Sequence, residues 1–170
     1  MAAGITYESI ATQTLGSATA SVTFSSISGS YTDLVLVVNF GTTAGGEITG
    51  VRLNGDSSTN KYSTTSVYGN GSGIITFRRT NEGVGAMNVS NWSGTTTTLN
   101  GSSSIYHIMN YSNTTTYKTV LGRSIDTTPQ TEITVGLWRD TSAVTSVTFF
   151  VTTTTLKAGA TASLYGIAAA

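Results

Sequence analysis

The chain has 170 residues, a formal charge of zero from eight basic and eight acidic side chains, and no cysteine. That length can bury a real core as a single domain, residues 1–170. The missing cysteines exclude disulfides and thiolate metal sites, and the absence of a basic excess argues against nucleic-acid binding.

Period-two patterns dominate the chain. Ala20, Val22 and Phe24 alternate with Ser21, Thr23 and Ser25, which predicts a strand with one buried face. Asp33 to Phe40 (DLVLVVNF) is a nearly continuous apolar run, expected to be a central strand covered on both faces. Ile48 to Leu53 leads into Asn54-Gly55, a tight-turn signal because both residues accept positive φ. Tyr62 to Tyr68 is a weaker strand, and Asn70-Gly-Ser-Gly73 turns the chain into Ile74 to Phe77. Ile105 to Tyr111 and Tyr117 to Leu121 form two more strands across a Ser-Asn-Thr-Thr turn. Thr131 to Trp138 alternates through Ile133, Val135 and Leu137; Ala143 to Val151 and Ala162 to Ile167 close the series. No segment carries a capped 3.6-residue period. The spacing of turn signals predicts an all-β, antiparallel β-sandwich of around ten strands, arranged as a Greek key or jelly roll.

Thr and Ser make up roughly a third of the residues, well above ordinary usage. Because Thr is β-branched and fits a pleated surface, these residues are expected on the solvent faces of strands. A weakly charged surface repels its own copies little, which suits a subunit of an assembly. No apolar run approaches the roughly 20 residues of a membrane-spanning helix. Met1 to Ile5 lacks the charged and apolar regions of a secretion signal. The six Asn-x-Ser/Thr sequons are accordingly read as products of composition.

No cofactor motif stands out. His107, the one histidine, lies on a strand, and its sequence neighbours include no nucleophile or orienting carboxylate, so packing or surface exposure is its expected role. The carboxylates Glu8, Asp33, Glu47, Asp56, Glu82, Asp126, Glu132 and Asp140 form no close pair or D-x-D cluster and read as turn residues. Asn54, Asp56 and Asn60 could supply some oxygens to calcium, but too few cluster to expect a site. Gly69 to Gly73 lacks the lysine and helix of a phosphate loop. Trp138 reads as a core or sheet-edge residue. Trp92, set among Asn91, Ser93, Gly94 and a Thr tract, is the candidate contact for a partner or a sugar ring.

Several motifs in order carry a resemblance: Ile10-Ala-Thr-Gln-Thr-Leu-Gly16 with Ala20 to Ile27, Tyr31-Thr-Asp-Leu34, Leu53-Asn-Gly-Asp56, Asn110 to Thr114 with Tyr117-Lys-Thr119, Gly136 to Val147, and Leu164-Tyr-Gly-Ile167. Together they resemble small virion surface proteins of tailed phages, many of them from aquatic bacteria and cyanobacteria. The resemblance implies a jelly-roll-like sandwich on the particle surface that acts as a capsid decoration (cement) protein, non-enzymatic and without cofactors. Its implied partners are the major capsid protein, other virion proteins and further copies of itself, in a symmetric oligomer such as a trimer. The alternative within the same family is a tail-fibre or head-fibre module that binds host-surface glycan, with Trp92 as its contact.

Overall fold

The fold is described for residues 6–45, 48–81, 87–90, 97–126 and 130–168 in a computed structural model. Among the described residues there is no helix. Twelve strands follow in order: β1 (Tyr7–Thr14), β2 (Ser21–Phe24), β3 (Asp33–Phe40), β4 (Thr49–Leu53), β5 (Tyr62–Gly69), β6 (Ile74–Thr80), β7 (Met87–Ser90), β8 (Ser102–Met109), β9 (Lys118–Asp126), β10 (Thr131–Trp138), β11 (Val147–Val151) and β12 (Thr161–Ile167). Eight make one sheet, in the order β1-β12-β3-β8-β9-β10-β5-β6, and four make a second, in the order β2-β11-β4-β7. All the pairings are antiparallel.

The expected antiparallel sandwich is therefore present. The chain alternates between the sheets from β1 to β4 and again from β10 to β12, and the pairs β1·β12 and β2·β11 nest inside one another. That is a jelly-roll-like wrap, extended by the meander β8-β9-β10 and the hairpin β5-β6.

The core forms between the small sheet and the inner face of the large one, from β12 across to β5. Leu34, Leu36, Val38 and Phe40 of β3 join Tyr106 and Ile108 of β8 and Leu164 of β12 on one side. Val22 and Phe24, Val51 and Leu53, and Val147, Phe149 and Val151 supply the other. Phe149 is the joint, with its ring centroid 5.1 Å from Phe40 and 6.0 Å from Tyr106. Fully burying a side chain of this size stabilises by about 1.5–3 kcal/mol. β3 is central, as expected, but only its core face is fully covered; on its other face Val35 is buried while Val37 and Asn39 are half-buried.

Two departures have local causes. β1 escapes a period-two reading because a register shift between Ser9 and Ala11 breaks its alternation. The strand expected from Ala143 begins only at Val147. The Asn54 carboxamide takes the backbone N–H groups of Thr145 (2.7 Å) and Ser146 (3.1 Å), so these residues are tied to a turn instead of a ladder. The run Thr152 to Thr155 does not extend β11, which ends at Val151. The Asn54-Gly55 turn itself has φ of +53° and +63°, as the dipeptide demands. Gly166 of β12 is also obligatory: a Cβ there would stand 2.3 Å from Cγ of Tyr31, whose ring lies against the strand.

Candidate functional site

The main surprise is the phase of β9 and β10. Glu132, Thr134, Gly136 and Trp138 point inward, while Ile133 and Val135 are exposed on the outer face, with Ile133 61% exposed. β9 behaves alike: Lys118 and Val120 are buried, whereas Leu121 and Ile125 are exposed. β5 places Tyr62, Thr64 and Ser66 inside and Val67 outside. The expectation that Thr covers the solvent faces holds for Thr12, Thr23, Thr65, Thr76 and Thr131 but fails for Thr64 and Thr134, whose hydroxyls line the interior while aliphatic neighbours meet solvent.

Trp138 sets this phase. It is buried, stacks on Tyr62 at a centroid distance of 6.4 Å, and donates its indole N–H to Asp56 Oδ2 at 2.9 Å. With Trp138 inside, strand alternation forces Leu137, Val135 and Ile133 outward.

Register aligns these residues into rows on the outer face. Val35, His107, Leu121 and Val135 follow one another across β3, β8, β9 and β10. The adjacent row runs Val37, Ile105, Arg123, Ile133 and Val67. Ile105, Arg123, Ile125 and Ile133 line an open cleft of about 300 Å³. Arg123 forms no ion pair among the described residues and stands between two isoleucines. Scattered surface hydrophobes are normal, whereas here Leu121, Ile125, Ile133 and Val135 are exposed together on one face.

His107 also lies on this face. The pairing of β3 with β8 brings Asp33 to it, with Nε2 2.8 Å from Oδ2. The sequence neighbours of His107 supply no carboxylate, and the fold brings one from 74 residues away. Asp33 Oδ1 also accepts the backbone N–H of Asn110 at 2.6 Å, so the carboxylate joins β3 to the turn after β8. Among the described residues no hydroxyl bonds to the imidazole.

Inside the sheet, beneath the outward aliphatics, runs a polar row. The hydroxyls of Ser66 and Thr134 lie 2.6 Å apart, and Thr134 donates to Glu132 Oε1 at 3.0 Å. Thr64 Oγ1 is buried without a hydrogen-bond partner among the described residues. Burial pushes the Tyr106 phenol well above the ordinary tyrosine range, against a smaller opposing effect from nearby Ser104 and Thr49.

At one end of the sandwich, charges bind loops together. Lys61 Nζ lies 2.7 Å from Asp140 and 3.2 Å from Asp56, so two carboxylates that read as isolated in sequence share one lysine. Burial pushes the Asp56 carboxyl upward, but hydrogen bonds from Ser58, Trp138 and Lys61 outweigh it and hold it at about 2. Lys61 and Ser142 hold Asp140 below the usual carboxylate range. Lys118 is fully buried and caps the carbonyls of Thr116 (2.8 Å) and Thr141 (3.1 Å); desolvation pulls its ammonium below the ordinary lysine range. Asn54 and Asp56 spend their side chains on these loops. Trp92 and its neighbours lie outside the described residues.

No family model matches the sequence, and no curated protein does. Among solved structures, the mouse laminin alpha1 chain, domains LG4-5, shares 15% identity over 90% of this chain and 40% of its own, with a TM-score of 0.32. Scytalido-glutamic peptidase, solved with a peptide-based transition state analog, shares 9% identity over 92% of this chain and 66% of its own, with a TM-score of 0.29. The chain thus spans less than two thirds of the length of either structure. At these scores neither likeness bears on the site.

Proposed function

We propose that this chain is a non-enzymatic structural protein of a tailed-phage virion, a decoration protein that coats the capsid from outside and docks through the outer face of its large sheet. The observation that carries the docking surface is the outward turn of Leu121, Ile125, Ile133 and Val135 on neighbouring central strands. Covering apolar area is worth about 25 cal/mol per Å² before the costs of association, so each copy gains a modest contact. Many copies on one shell then resist internal pressure together. The resemblance in the sequence motifs supports the setting. The zero formal charge favours close packing of copies, in a symmetric oligomer such as a trimer, beside the major capsid protein.

The test is the copy number in purified virions of the phage that encodes the chain, measured against the major capsid protein by quantitative mass spectrometry. A fixed stoichiometric ratio to the capsid protein is expected. Only a handful of copies per particle would overturn the decoration role and move the protein to a tail or head fibre, where binding of host glycan becomes the question.

A further inference from the structure

The chain contains three Asn-Gly steps, at Asn54, Asn70 and Asn100, and the fold treats them differently. Asn-Gly is a chemically labile dipeptide, because the glycine has no Cβ to hinder attack of its nitrogen on the asparagine side chain. Asn54 is clamped at the leaving group: its amide nitrogen donates to Ala143 O at 2.8 Å, while its oxygen, like that of Asn70, accepts from two backbone N–H groups, Thr145 N and Ser146 N. At Asn100 the attacking nitrogen is occupied, since Gly101 N donates to Thr98 O at 3.0 Å.

Asn70 has neither protection. It lies in the loop between β5 and β6, and Gly71 is exposed with φ of +82°. Among the described residues Gly71 N makes no hydrogen bond, and neither does the Asn70 side-chain amide nitrogen. The Asn70 side-chain oxygen accepts from Ser72 N and Gly73 N, each at 3.0 Å. Two N–H groups aimed at a carbonyl oxygen stabilise the negative charge that develops there when its carbon is attacked, as in an oxyanion hole.

We infer that Asn70 is a site of spontaneous self-modification, the place where this folded chain converts an asparagine to aspartate and isoaspartate. Hydroxide takes the proton from Gly71 N, and the nitrogen forms a bond to Asn70 Cγ. Charge gathers on Oδ1, facing Ser72 N and Gly73 N. The Cγ–Nδ2 bond breaks, Nδ2 takes a proton from water, and ammonia leaves behind a five-membered succinimide. Water then opens that ring at either carbonyl. The net reaction consumes one water, releases one ammonia and needs no oxidant. Each event adds one negative charge to the loop beside Ile74, at the rim of the outer face.

The full chain is incubated in mildly alkaline buffer, folded and in concentrated urea, and digested at intervals for peptide mapping by mass spectrometry. In urea the three steps should convert at comparable rates, because each is an asparagine followed by glycine. In the folded chain Asn70 should lead and Asn54 should fall behind by about tenfold or more, since holding reacting groups away from attack geometry costs rates of that order. If Asn54 keeps pace with Asn70 in the folded chain, or Asn100 overtakes it, the assignment is wrong.

Discussion

The indole N–H of Trp138 donates to Asp56 Oδ2 at 2.9 Å, joining a buried aromatic of β10 to a turn carboxylate that follows β4. The same carboxylate accepts Ser58 N and faces Lys61. Its pKa, held at about 2 against a burial effect that opposes this, makes it a stabilising group that depends on charge. The unfolded chain takes up that proton at a higher pH than the folded chain. The contribution of Asp56 is therefore complete above about pH 5 and is lost as the pH falls toward 2. Asp56 should contribute about 1 kcal/mol to this decline once solvent screening is allowed for. Asp56→Asn should flatten the slope and lower neutral-pH stability by about 1–2 kcal/mol. Urea midpoints of both proteins at neutral and acid pH measure the difference.

Much of the architecture was legible. β3 and β10 match their expected bounds, and Asn54-Gly55 turns as its sequence demands. The faces of β10 were harder. Trp138 and the series Ile133, Val135 and Leu137 sit at opposite parity, so they could not all be core. Sequence alternation cannot choose between two phases that both offer apolar residues. The choice is made by Tyr62 and Asp56, which come from elsewhere in the chain. The pairing of His107 with Asp33 was hidden for the same reason: strand order, not local pattern, makes them neighbours.

Thr64 is the cost of the inverted phase on β5. Its hydroxyl is buried with no partner among the described residues, and such a group costs about 1–3 kcal/mol. Thr64→Val keeps the branched shape and removes the orphan, so the urea midpoint should rise by an amount worth about 1 kcal/mol. Thr134→Val is the contrast. It breaks the bonds to Ser66 and Glu132 and should lower stability by about 1–3 kcal/mol.

Gly166 lies within the terminal motif Leu164-Tyr-Gly-Ile167, and Tyr31 explains why it is glycine. The ring atoms nearest to an added Cβ are Cγ, Cδ1 and Cδ2, close to the root of the side chain, so the ring cannot swing clear by moving only its tip. Gly166→Ala should destabilise by about 1–3 kcal/mol, the usual range for overpacking. Pairing it with Tyr31→Ala should recover part of that loss, which a double-mutant cycle in urea would reveal.

The outer face separates folding from docking. Ile125 and Ile133 are 53% and 61% exposed, so replacing both by threonine removes little buried surface and keeps the β-branched shape. The urea midpoint should move by no more than about 0.5 kcal/mol per site, as for ordinary surface changes. Leu36→Ala on the covered face should cost about 2–5 kcal/mol. If the outer face is what meets the particle, the double threonine variant should fold normally yet fail to sediment with virions that lack the native protein. Arg123→Glu should weaken that binding while preserving the fold, because it reverses the charge set between Ile105 and Ile133. Full occupancy by both variants would place the docking surface elsewhere, and the outward aliphatics would then need another explanation.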